Sequence, residues 1–176
     1  NTEGLRDFHD QKKLIDLLVL LNEIKKDKKA TVPLLLKISP DIKNGYIPEI
    51  ADAAIKHNIS AIILTNTTNG NRSNLKSKFK DEEGGLSGKP LYQLSNNMIK
   101  NFYKELKNKI PIIGVGGVNS GKSAYDKIVA GASLLQLYTG FVYRGPFTAK
   151  NIKKELIQIL KAEGIKNIKE AVGKSV

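Results

Sequence analysis

Four times along this chain a short, nearly continuous apolar run is followed by a stretch with three- and four-residue apolar spacing. The runs are 33–38 (PLLLKI), 60–66 (SAIILTN), 111–115 (PIIGV) and 133–137 (SLLQL), and the helical stretches after them are 46–58, 91–107, 120–130 and 147–163. The first run is of the kind expected for a strand covered on both faces. A further amphipathic helix over 10–26, with Leu14, Leu17, Leu18, Leu21 and Ile24 inward and Asp10 as its cap, comes first. Strict alternation of strands and helices predicts an α/β fold with a parallel sheet. Right-handed crossovers would curl four such units into half of a (β/α)8 TIM barrel. A complete barrel takes about 250 residues, and this sequence has 176 without any sign of a linker or second domain.

The polar residues gather where the apolar runs stop. Gly116-Gly117 follow the third run and Tyr138-Thr139 the fourth. Backbone N–H groups after the last two strands are what a β/α barrel uses to hold a phosphate, so a phosphorylated ligand is expected. Lys37 lies inside an otherwise apolar run, where an unpaired ammonium would cost several kcal/mol or lose its proton. Either it forms a buried ion pair with Asp41 or Asp52, or it faces an anionic ligand; the second reading is favoured. Thr65, Asn66 and Thr67 offer an amide flanked by hydroxyls, which suits a planar polar ring such as a pyrimidine, or else a capped turn. Residues 67–89 read as a long binding loop whose segment 84–90 (GGLSGKP) lets a ligand approach the backbone closely. No carboxylate at a strand end offers itself as a general base.

The charge of +12 rests on lysines scattered over the helices, with Arg only at positions 6, 72 and 144. Nucleic-acid readers concentrate Arg and aromatic residues on one face, so nucleic acid is not an expected partner; solvated helix faces explain the lysines better than an anionic membrane surface does. The absence of cysteine removes thiolate chemistry, and His9 and His57 stand far apart without a carboxylate pattern, so no metal site is expected. No apolar stretch approaches the ~20 residues of a membrane span, and residues 1–4 (NTEG) read as neither signal nor transit sequence.

Segments 1–6 (NTEGLR), 36–41 (LKISPD), 64–68 (LTNTT), 84–91 (GGLSGKPL), 110–118 (IPIIGVGGV) and 130–140 (AGASLLQLYTG) occur in the order in which they stand in one family. Across all 176 residues the chain resembles the C-terminal half of class 2, quinone-dependent dihydroorotate dehydrogenases, which are flavin mononucleotide (FMN) enzymes of pyrimidine biosynthesis. The Tyr within QLYTG is closer to the membrane-linked class than to the soluble one. The resemblance implies that the chain supplies the last four β/α units. FMN would be held by Lys37, Thr65, Gly88, Gly117, Tyr138 and Thr139, and dihydroorotate or orotate by Asn1, Asn66 and Thr67. Oxidation of dihydroorotate would send a hydride to the flavin and its electrons on to a quinone.

The same resemblance implies what lies elsewhere. The family's catalytic base is a Ser two residues before the Asn that this sequence begins with, so no catalytic base is expected in this chain; Thr2 is at most a proton relay. The first four strands and the helical region that docks on a membrane and admits quinone belong to the other half. That half is the expected partner, with peripheral attachment to the bacterial cytoplasmic or mitochondrial inner membrane. The chain is accordingly expected to be one segment of a longer polypeptide and inactive alone. Two other readings stand beside this one. Another FMN- or phosphate-binding barrel is one, although an IMP dehydrogenase-like enzyme would need a nucleophilic Cys. A non-catalytic half-barrel that binds a phosphate ligand or self-associates through its open sheet edges is the other.

Overall fold

The computed structural model describes residues 11–70 and 72–176. Asn1, Thr2, Arg6, His9 and Asp10 lie outside the described residues. Helix α1 (Gln11–Asp27) leads into strand β1 (Leu35–Ile38) and helix α2 (Ile47–Lys56). Strand β2 (Ala61–Leu64) and the loop over 65–88 precede helix α3 (Tyr92–Leu106), then β3 (Ile112–Val115) and α4 (Gly121–Val129). The chain continues through β4 (Ala132–Gln136), α5 (Thr139–Arg144) and α6 (Thr148–Ala162) to a 3-10 turn at Ile168–Ala171. The four strands form one sheet in the order β1-β2-β3-β4, every neighbour parallel. This is the sheet expected from the alternation, four of the eight strands that close a TIM barrel.

Alternation along each strand separates two faces. Ile38, Ile62, Leu64, Ile112 and Ala132 turn toward the helices and are buried with Ile99, Phe102 and Leu106 of α3 and Ala53 and Ala54 of α2. Each large side chain so buried contributes roughly 1.5–3 kcal/mol, which makes this layer the main source of stability. Small residues let the helices approach: a Cβ on Gly114 would lie 3.0 Å from the Ala132 Cβ and 3.1 Å from Ile99 Cδ1. Helix α4 starts where Ser120 and Ser123 cap each other, the Ser120 Oγ accepting from the Ser123 N–H at 3.2 Å and the Ser123 Oγ from the Ser120 N–H at 2.9 Å.

The other face carries the row Lys37, Ile63, Ile113 and Leu134, aligned strand by strand. Leu35 and Leu134 on this face are 42% and 61% exposed. The two-sided cover expected for the first apolar run is corrected by the structure: β1 is an edge strand whose residues Leu35 and Lys37 are exposed, because the helices cover one side of the sheet only. The stripe of α1 also differs in part. Leu14 and Leu18 are buried, but Ile24 is 45% exposed; the helix meets the end of α2 at Asn22, whose Nδ2 donates to the His57 carbonyl at 2.9 Å, and Ile24 lies beyond that contact. His57 itself forms the C-cap of α2 and is half-buried.

Two elements were not legible as periodicity. Helix α5 is a six-residue turn and a half with no buried residue, too short for a 3.6-residue stripe to show. The C-terminal segment returns to α4, with the Gly173 N–H donating to the Ile128 carbonyl at 3.1 Å and the Ser175 N–H to Val129 at 3.0 Å.

Candidate active site

The C-terminal ends of the strands and the segments that leave them surround a cavity of about 600 Å3. Lys37 reaches it from β1, Thr65, Asn66 and Thr67 from the end of β2, Gly116 and Gly117 from the end of β3, and Gln136, Tyr138, Thr139 and Gly140 from the end of β4. Ser87 and Gly88 come from the long loop. Every described residue that the sequence singles out for cofactor or substrate therefore lines one hollow, of a size ordinary for a small-molecule site. Asn1 lies outside the described residues. Gln136, Ser87 and Gly140 also line the cavity without having been assigned from sequence. For Gln136 the signal was present, since it is a polar residue at the end of a strand that is otherwise apolar.

Local geometry explains why these residue types stand here. The Asn66 N–H donates to the Ile38 carbonyl at 2.9 Å and the Thr65 N–H to Val115 at 3.1 Å, so the backbone after β2 is held from both sides. Thr65 is 2% exposed and its Oγ1 is buried without a hydrogen-bond partner. Native structures seldom leave such a group unsatisfied. Gly117 has φ +72°, and a Cβ there would lie 2.6 Å from the Tyr92 Cβ and 2.9 Å from its Cα. Gly88 has φ +77°, and a Cβ there would lie 2.9 Å from Thr139 Cγ2. Among the described residues no hydrogen bond engages the N–H groups of Gly117, Thr139 and Gly140.

The loop over 67–89 is organised rather than formless. Thr68 and Leu86 exchange backbone bonds at 3.1 and 2.7 Å, and Arg72 donates to the carbonyls of Lys80, Glu82 and Gly84. Asp41 accepts from the Thr68 hydroxyl and from the Asn69 N–H at 2.9 Å. Asp52 pairs with Lys56 at 2.7 Å. The ion-pair alternative for Lys37 is thereby corrected: it pairs with neither aspartate, nor with any carboxylate among the described residues, because Asp41 is turned to the loop and Asp52 to its own helix.

The lysine that is buried is a different one, which sequence reading missed. Lys127 of α4 is 0% exposed. Its Nζ donates to Ser95 Oγ and Asn96 Oδ1, both at 2.8 Å, and lies 5.6 Å from the centroid of the Tyr92 ring. Burial pulls its pKa down to about 7, against the opposing field of Asp126. Tyr92 donates its hydroxyl to Asp126, and burial together with that carboxylate pushes it up to about 12. The available signal was a lysine one turn from Ala124 and Ser123 on the inward face of α4. A second hollow of about 390 Å3 adjoins the first across Gly88, Gly117 and Thr139 and adds Lys89 and Arg144 to its wall. It makes this end of the site electropositive.

A parallel β/α sheet whose strand tips hold a cation, unengaged N–H groups and an orphaned hydroxyl around one cavity defines a ligand-binding half of a β/α-barrel protein. The sequence profile of the family described as dihydroorotate dehydrogenase matches residues 1–160. The chain belongs to the dihydroorotate dehydrogenase family. It is 43% identical to the mitochondrial dihydroorotate dehydrogenase (quinone) of Arabidopsis thaliana over 98% of its own length and 39% of the relative's. It is 41% identical to that of Xanthobacter autotrophicus over 100% and 50%. The crystal structure of dihydroorotate dehydrogenase from Eimeria tenella in complex with ferulenol superposes with a TM-score of 0.93 at 33% identity, covering 99% of this chain and 51% of that one. The chain thus spans about half the length of the relatives it matches.

Proposed function

We propose that this chain is the C-terminal half of an FMN-dependent dihydroorotate dehydrogenase that passes electrons to a quinone. The observation that carries the reading is the buried Thr65 hydroxyl without a partner, in the same hollow as Lys37 and the N–H groups of Gly117 and Thr139. A flavin mononucleotide answers both ends of that hollow: its ring edge offers carbonyl and N–H groups, and its phosphate calls for donors and positive charge. The residues present therefore fit the group. FMN supplies a two-electron acceptor that can take a hydride from the substrate and hand electrons on singly.

The rest is the work of this chain's own side chains and backbone. Thr65 would satisfy its hydroxyl on the ring of a bound flavin, and Lys37 would supply an ammonium to stabilise negative charge there. The backbone of Gly117 and Thr139 holds the phosphate end, with Gly88 allowing the close approach that a side chain would block. Tyr138 flanks that end. Asn66 and Thr67 grip dihydroorotate, fixing its ring relative to the flavin. The described lining residues include no carboxylate or histidine; by the family resemblance, removal of the substrate proton would fall to a Ser.

The N-terminal half is the proposed partner. It would cover the inner sheet face with Leu35 and Leu134 and the exposed Phe141, Val142 and Tyr143 of α5, and would bring the quinone path and peripheral membrane docking. No helix of the described residues is long and apolar enough to cross a membrane. The test is a visible spectrum of the completed barrel. A yellow protein whose flavin bands bleach when dihydroorotate is added without oxygen is expected; a colourless one, or one indifferent to dihydroorotate, overturns the assignment.

A further inference from the structure

The proposed function leaves Lys127 without a part, although an amine buried to 0% exposure is costly to place. Among the described residues no carboxylate bonds to it. Asp126, next to it on α4, is occupied by the Tyr92 hydroxyl and by Lys122 at 2.6 Å. The amine instead donates to Ser95 Oγ and Asn96 Oδ1. A neutral amine has two N–H groups, and both are placed.

Ser95 relays this contact in one direction. Its oxygen accepts from Lys127, so its own proton is directed to the Val115 carbonyl, 2.6 Å away. That carbonyl also receives the Thr65 N–H at 3.1 Å, and the peptide it belongs to opens the Gly116-Gly117 turn. The turn lies directly on this cluster: a Cβ at Gly116 would be 3.2 Å from the Ser95 Cβ. Without the amine, the Ser95 hydroxyl loses the donor that directs its proton to Val115, whose carbonyl keeps the Thr65 N–H as its other donor.

We propose that Lys127 is a positioning residue for the phosphate-holding turn, orienting Ser95 and through it the Val115 carbonyl, so that Gly116 and Gly117 present their N–H groups to the ligand. The inference rests on the flavin reading of the site. The depressed pKa of Lys127 agrees with it, since near neutral pH the neutral form, whose two donors are both used, is substantially populated. A purely structural role makes a different forecast, because removing one partner of buried hydrogen bonds leaves the others unsatisfied and lowers stability, which weakens both flavins alike.

The experiment uses the completed barrel, this chain joined to the N-terminal half, and compares FMN with riboflavin, which lacks the phosphate. Dissociation constants from quenching of flavin fluorescence are measured for the wild type, Lys127→Met, Ser95→Ala and the double variant, with the unfolding midpoint of each apoprotein. In each single variant the preference for FMN over riboflavin should fall roughly tenfold, the scale of one lost hydrogen bond to a binding turn. The double variant should lose little more, as expected for residues acting in series, and the Lys127→Met midpoint should not fall. An unchanged preference in both single variants overturns the inference alone, as does an equal weakening of both flavins that accompanies a fallen midpoint. A wild type that takes up neither flavin overturns the flavin reading and this inference with it.

Discussion

Ser87 and Thr139 meet hydroxyl to hydroxyl at 2.9 Å, tying the long loop after β2 to the residue that opens α5. The bond spans 52 positions of sequence and closes the loop over the end of the cavity assigned to phosphate. Ser87→Ala is expected to loosen FMN several-fold, on the scale of about 0.5–1.5 kcal/mol for a neutral hydrogen bond, while the Michaelis constant for dihydroorotate stays unchanged. Flavin fluorescence and steady-state kinetics on the completed barrel check the split; equal losses in both would place the bond in general folding.

Gly117 is the position where a side chain is least tolerable. Gly117→Ala must adopt φ +72° and place its Cβ 2.6 Å from the Tyr92 Cβ. A loss of FMN affinity worth about 1–3 kcal/mol is expected, read by flavin release from the purified protein. Retention equal to wild type would show that the turn does not approach the ligand.

Lys37 is exposed on the inner face and has no ion pair among the described residues, so its removal leaves no unpaired charge behind. Lys37→Met should therefore fold, and slow the dihydroorotate-dependent reduction of the flavin by ~100-fold or more if the ammonium stabilises charge on the ring. Stopped-flow absorbance measures it. A wild-type rate would remove Lys37 from the proposed role.

Lys127 gives a pH signature of its own. Its folded pKa of about 7 stands below the ordinary 10.5, so between these values the unfolded chain holds the proton that the folded chain has released. Stability therefore rises with pH across this window, by at most about 1.4 kcal/mol per pH unit, and below pH 7 the contribution is flat and least favourable. Asp126 and Tyr92 face the same site, but Tyr92, pushed up to about 12, comes into play only above its ordinary value of 10.0. Denaturant unfolding at pH 7 to 9 should show a shallower rise in Lys127→Met; equal slopes would contradict the assignment.

The parallel order of the sheet was readable because each strand is an apolar run bounded by a turn and followed by helical spacing, and α2, α3, α4 and α6 fall within the stretches 46–58, 91–107, 120–130 and 147–163. The strand-tip residues were readable because polarity begins abruptly at Thr65 and Gly116. The cover of the first run was not readable, since an edge strand and a strand covered on both faces can have the same sequence, whereas the favoured reading of Lys37 as a cation facing a ligand agrees with its place in the cavity lining. Lys127 escaped notice because lysine on a helix is ordinarily a solvated residue, and only the packing of α4 against Ser95 and Asn96 shows otherwise. The bond between Ser87 and Thr139 joins segments whose separation no local pattern encodes.

The most direct test of the proposed reaction is an anaerobic titration of the completed barrel with dihydroorotate, followed by its visible absorption. The expected result is stoichiometric bleaching of a flavin spectrum that returns on adding a quinone. A spectrum that dihydroorotate leaves unchanged, in protein carrying a full complement of FMN, would contradict the assignment of Asn66 and Thr67 to this substrate and with it the proposed reaction.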